Sequence, residues 1–155
     1  MKLESTGIPA DSAIELKYTE QGSGGQNVIP DLRWSDAPEG TASYAITIYD
    51  PDAPTGSGWW HWVAIDLPAT ITSVDEGGPL PAGAREWIND YGYRGYGGAC
   101  PPPGPAHRYV HTVYALPVER LDLPDEATSA QVRFTVLAQA LDSASFTATF
   151  AQPEA

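Results

Sequence analysis

The stretch from Asp90 to Leu116, DYGYRGYGGACPPPGPAHRYVHTVYAL, most constrains what this chain can fold into. Between Tyr91 and Gly104 it carries Gly92, Gly95, Gly97, Gly98 and Gly104 together with Pro101, Pro102 and Pro103. That mixture excludes both a helix and a regular ladder, and the prolines remove most of the backbone freedom at one end. It predicts a loop that holds a shape, followed by a strand over 108–116. The 28 residues from Tyr91 to Val118 contain no Asp or Glu, where a chain with 20 acidic residues in 155 would place about four. In their place stand Arg94, His107, Arg108 and His111. Within an acidic chain this is where an anion is tolerated, with glycine N–H groups open to close approach.

The rest of the composition limits the partners. At 155 residues and 42% apolar content the sequence supports one domain, 1–155, with its own core, and residues 1–12 are its least committed part. A formal charge of −12 with eight scattered Lys and Arg excludes nucleic acid as a general partner, because phosphate backbones demand a basic face. The N-terminus has no apolar h-region, and no apolar run approaches a membrane span, so the expectation is a cytoplasmic protein. Cys100 is the only cysteine, which leaves no internal disulfide and agrees with a reducing compartment.

Period-two alternation in Ala13-Ile14-Glu15-Leu16-Lys17-Tyr18 predicts a half-buried strand. Thr41–Tyr49 and Trp59–Ile65 are β-branched and aromatic, bounded by Gly and Pro, and read as buried central strands. A helix is predicted from about Thr128, where Thr128-Ser129-Ala130-Gln131 forms a capping box and Val132, Val136, Leu137, Ala140 and Leu141 form a stripe. A strand over 145–150 closes the chain. The sum is a mainly antiparallel sheet protein with one C-terminal helix.

Three local features could carry chemistry. Asp50-Pro51-Asp52-Ala53-Pro54 follows a buried strand; it reads either as an Asx-type turn, with Asp50-Pro51 a candidate cis bond, or as a carboxylate presented at the sheet rim. His61 lies among Trp59, Trp60 and Trp62, and strict alternation puts it on one face with Val63 and Ile65, as a satisfied core histidine or as a catalyst. In His107-Arg108-Tyr109-Val110-His111 the alternation places His107, Tyr109 and His111 on one face. His107 and His111 are no metal pair, because four strand residues span about 13 Å at about 3.3 Å each. No metal site and no cofactor are expected, and the common hydrolase, kinase and dehydrogenase motifs are absent.

Taken as an ordered set, Pro30-Asp31-Leu32-Arg33-Trp34, Asp50 to Pro54, Trp60-His61-Trp62, Asn89-Asp90-Tyr91-Gly92, Cys100-Pro101-Pro102 and His107-Arg108-Tyr109 resemble the phosphatidylethanolamine-binding proteins. The likeness is to the short bacterial and archaeal branch called Raf-kinase-inhibitor-like, and it runs from about Asn27 to Phe150. The resemblance implies an antiparallel Greek-key β-sandwich with a C-terminal helix and short peripheral helices. It also implies a small surface pocket for phosphate-like or carboxylate anions, using Asp50, His61, Gly98, Cys100, Pro101, His107 and Tyr109. Departures from the family pattern are Gly98-Ala99-Cys100 in place of Gly-Pro-Cys, the lack of a pocket tyrosine in Thr55–Gly58, and His111 where an aromatic is usual.

Two functions follow. In one, the protein is a monomer or homodimer that captures a small anionic or zwitterionic ligand and regulates a protein kinase or another enzyme. In the other, Asp50, His61, His107 and His111 form a catalytic set for general acid and base chemistry on a small metabolite, as in a cyclase or isomerase of a biosynthetic pathway.

Overall fold

The computed structural model describes residues 1–153. Its elements in chain order are β1 (Lys2–Glu4), β2 (Leu32–Ser35), β3 (Ser43–Asp50), β4 (Trp59–Pro68), β5 (Ser73–Val74), β6 (Arg85–Glu86), β7 (His107–Leu116), α1 (Ser129–Gln139) and β8 (Asp142–Phe150). Two short 3₁₀ turns, Leu16–Tyr18 and Gln21–Ser23, lie between β1 and β2. Every strand pairing is antiparallel, giving a small sheet β1-β2-β5 and a large sheet β6-β4-β3-β7-β8. The Greek-key character lies in the connection from β4, which runs through β5 and β6 before β7 pairs on the far side of β3.

The large sheet is buried on both faces, which is why its central strands read as apolar runs rather than as alternation. On one face Ile46, Ile48, Trp62, Ala64 and Val113 meet Leu32, Trp34 and Val74 of the small sheet. On the other face Ala45, Val63, Ile65 and Leu116 meet Val132 and Val136 of α1. The helix carries the predicted capping box, with the Thr128 side chain accepting from the Gln131 N–H and the Gln131 side chain accepting from the Thr128 N–H. Only Val132 and Val136 of its expected stripe are buried; Leu137 and Leu141 face outward. Thr128→Ala should lower stability by about 1 kcal/mol, seen as a fall of about 2–4 °C in a circular-dichroism melt. An unchanged midpoint would mean that the cap contributes nothing.

Three expectations need correction. Residues 1–12 are not loose: Lys2, Leu3 and Glu4 pair with Ser35, Trp34 and Arg33, and Ile8 is buried in the core. The segment 13–18 is not a strand. Ala13 makes one isolated bridge to Thr149, after which the chain turns at Leu16–Tyr18 and buries Tyr18 while Leu16 stays exposed. The cis bond is Gly78–Pro79, not Asp50–Pro51. Among the described residues no helix is long and apolar enough to cross a membrane.

Candidate functional site

At one rim of the large sheet, the ends of β3, β4 and β7 meet the Gly/Pro loop around a hollow of about 380 Å³. Its wall includes Asp50 at the end of β3 and Pro54 after it, Trp59 and His61 of β4, Tyr91, Cys100, Pro101 and Pro102 of the loop, and His107 and Tyr109 of β7. Antiparallel register explains the meeting. Asp50 is opposite Trp59, and β7 runs along the other side of β3 with Val110 opposite Tyr49, so all three strand ends reach the same rim.

His61 arrives there by a route that alternation misses. The register steps from Ile48 opposite Trp62 to Tyr49 opposite Trp60, so β4 holds one extra residue at His61. This bulge turns the histidine away from the face of Val63 and Ile65, which pack toward the helix, and onto the hollow, edge-on to Tyr109 at 5.2 Å and to Tyr91 at 5.6 Å between ring centroids. Its shared face with Val63 and Ile65 is therefore overturned.

The hydrogen bonds decide what each group can offer. Asp50 is buried; its Oδ1 accepts from the Asp52 N–H at 2.7 Å and its Oδ2 lies 2.7 Å from His107 Nδ1. The Asx turn and the rim carboxylate are thus one arrangement: the turn holds the carboxyl that holds the imidazole. Because a carboxylate only accepts, His107 Nδ1 carries the proton and Nε2 is left for the hollow. His61 Nδ1 lies 2.8 Å from the Gly97 carbonyl, so it too donates there. Burial pulls the His61 titration down, opposed by the Gly97 carbonyl and by Asp50, and keeps the ring neutral. Burial also raises the Tyr91 and Tyr109 phenols above their ordinary range. The Tyr109 hydroxyl and the Trp59 indole N–H are buried without any hydrogen-bond partner among the described residues. Buried polar atoms are rarely left so, and here both belong to residues of the hollow's wall.

Other site expectations fall elsewhere. Gly98 is not on the wall, and its N–H donates to the Asn27 side chain at 2.7 Å while its carbonyl accepts from the Tyr91 hydroxyl at 2.7 Å. It shapes the loop instead, since a Cβ there would lie 2.2 Å from the Tyr18 carbonyl oxygen. His111 is buried behind the hollow, stacked on Phe146 with centroids 4.6 Å apart, its Nδ1 3.0 Å from the Tyr109 carbonyl. Neither arginine of the acid-free stretch lines the hollow. Arg108 grips Asp52 at 2.8 and 3.0 Å, holding that carboxyl down at about 2, and Arg94 donates to the Glu86 and Asp125 carbonyls. Trp59 and Tyr91 were missed as wall residues. Their position beside His61 and in the shaped loop was the available signal.

Fold and site together define a β-sandwich with a rim hollow built from an acid-anchored imidazole, a second imidazole and an unpartnered phenol. The chain belongs to the phosphatidylethanolamine-binding protein family, whose pattern its residues 4–151 match. Among relatives, the UPF0098 protein YbhB of Escherichia coli is 44% identical over 97% of this chain and 99% of its own length. The UPF0098 protein YbcL of the same organism is 46% identical over 94% of this chain and 85% of its own. A crystal structure of YbcL, titled a new member of the mammalian PEBP family, matches with a TM-score of 0.91 at 40% identity and covers 97% of each chain.

Proposed function

We propose that the hollow binds a small anionic or zwitterionic ligand of phosphate, phosphoethanolamine or carboxylate chemistry, and that occupancy regulates a partner enzyme such as a protein kinase. The observation that carries this reading is the Tyr109 hydroxyl, buried without a partner next to an imidazole that Asp50 anchors. A ligand oxygen held beside His107 would satisfy that donor and the Trp59 N–H together, and such bonds strengthen when the acceptor is charged. The size of the hollow suits a head group rather than an acyl chain. The free thiol of Cys100 on the wall fits work in a reducing compartment, and the reading therefore places the protein in the cytoplasm.

Calorimetry with O-phosphoethanolamine and inorganic phosphate tests it. Binding should be measurable, and His107→Ala should weaken it at least tenfold, about 1.4 kcal/mol, with the melting curve showing a folded variant. Absence of heat with both ligands would reject the reading.

One observation favours a second reading. The 2.7 Å contact from Asp50 fixes His107 in the tautomer that presents a bare Nε2, which is the arrangement of a general base, with Tyr109 as a candidate acid. Product formation from a metabolite panel, lost in Asp50→Asn and His107→Ala, would establish catalysis.

A further inference from the structure

Helix α1 is apolar on two sides yet covered on one. Val132 and Val136 pack on the large sheet, while Phe134, Leu137 and Leu141, spaced one turn apart along the outer side, are 75%, 64% and 46% exposed. A surface helix ordinarily keeps charge on that side, and a helix apolar all round is one that something covers. Residues 127–141 contain no Asp or Glu, where a chain with 20 acidic residues in 155 would place about two. Their single charge, Arg133, lies over the Trp60 ring at 4.2 Å. Beside Phe134 runs a groove of about 510 Å³, walled by Leu123, Pro124 and Ala127 on one side and by Ala130 of α1 on the other.

We infer that this face docks a basic amphipathic helix of a partner protein, its apolar anchors set against Phe134, Leu137 and the groove and its Lys or Arg side chains over the acidic rim. Backbone chemistry selects a helix. The Leu121 and Leu123 carbonyls already accept from Arg85, the Asp125 carbonyl from Arg94 and the Ala127 carbonyl from the Trp87 indole N–H. An extended peptide would find no ladder to join there, whereas a helix satisfies its own backbone and needs only side-chain contacts. Charge selects a basic one. Asp122, Asp125 and Glu126 flank the wall residues and are exposed, in a chain of net charge −12. Of the neighbouring cations, Arg85 is committed to the buried Asp66 and Arg94 to two carbonyls and the Trp87 ring; only Arg120 stays exposed. A second copy would bring the same three carboxylates, and an anionic bilayer would repel them. The face shares no wall residue with the hollow, so failure of anion binding leaves this inference standing.

Fluorescence anisotropy and amide chemical-shift mapping on the whole chain test it. The probe is a synthetic peptide of about 18 residues with Leu on one helical face and Lys elsewhere. It should bind with a Kd on the order of 10 μM and move the amides of residues 121–141, leaving those of Asp50, His61 and Tyr109 in place. An analogue with Glu for every Lys, and one of the same composition with the stripe scrambled, should each bind about tenfold more weakly or worse. Phe134→Gln and Leu137→Gln should each weaken the first peptide by about tenfold. Their melting curves should match the parent's, since both side chains are exposed and glutamine is a good helix former. Equal binding of either analogue, shifts gathered at the hollow, or no binding at about 1 mM peptide would overturn the inference. Sedimentation of the chain alone should show one copy; a dimer dissolved by Phe134→Gln would give the face to a second copy and overturn the choice of partner. Phosphatidylglycerol vesicles should leave the amides of 121–141 unmoved, and movement would likewise overturn it in favour of a membrane.

Discussion

Arg85→Met should cost about 3–5 kcal/mol of folding stability, because it leaves a buried carboxylate without its partner. Asp66 is 4% exposed, and Arg85 Nε reaches its Oδ2 at 2.6 Å. The same guanidinium donates to the Leu121 and Leu123 carbonyls at 2.7 Å each, while the Leu121 N–H donates to Asp66 Oδ1 at 2.9 Å. One ion pair thus fastens the β4–β6 edge to the 121–123 segment. Arg120 lies 3.8 Å from Asp66 but is 62% exposed, too screened to replace Arg85. Urea unfolding measures the effect, and the double variant Asp66→Asn/Arg85→Met should lose less than Arg85→Met alone, since no buried charge then remains. Asparagine is the right control, because Asp66 sits at a φ of 62°, which Asn tolerates. A single-variant loss below about 1 kcal/mol would show the pair to be dispensable.

The second large effect is a loss of stability in mild acid that originates at His111. Burial lowers its titration from 6.5 to about 4, against the opposing Tyr109 carbonyl. The unfolded chain therefore binds a proton that the folded chain refuses across that interval. Stability is complete above about pH 6.5 and falls as the pH drops toward 4, by about 3 kcal/mol in total. His61, lowered by burial too, adds in the same direction. Losses from carboxylates such as Asp52, held at about 2 by Arg108, belong to lower pH. His111→Phe keeps the flat ring against Phe146, removes the titration and should flatten the profile between pH 6.5 and 4 in urea unfolding. An unchanged profile would place the acid sensitivity elsewhere.

How legible the sequence was depends on whether the deciding force is local. The three long strands of the sheet centre and the capped helix are written in residue type, so Ser43–Asp50, Trp59–Pro68, His107–Leu116 and Ser129–Gln139 fall close to where apolar runs and the Thr128 cap put them. The strands of the small sheet are two to four residues long, too short for a period of two to register. The 13–18 segment alternates like a strand, yet what it meets beyond Ala13 is a turn that delivers Tyr18 to the core. At the candidate site, residue types in the Asp50, His61 and His107 regions drew attention to the rim where the three side chains line one hollow. Gly98 stands off the wall because its N–H binds Asn27, 71 positions away, and His111 lies behind the hollow because the register of β8 sets Phe146 over it. Neither partner can be found from local pattern.

The extra residue in β4 has a consequence for how this protein's chemistry can change. Since the imidazole at position 61 protrudes from an interruption in the pairing, the hydrogen bonds on either side of it belong to its neighbours. Glutamine, whose amide N–H can donate to the Gly97 carbonyl as the imidazole does, could stand there with Trp60 and Trp62 still opposite Tyr49 and Ile48. The sheet is a frame with one interchangeable socket, open to a new specificity without being rewoven.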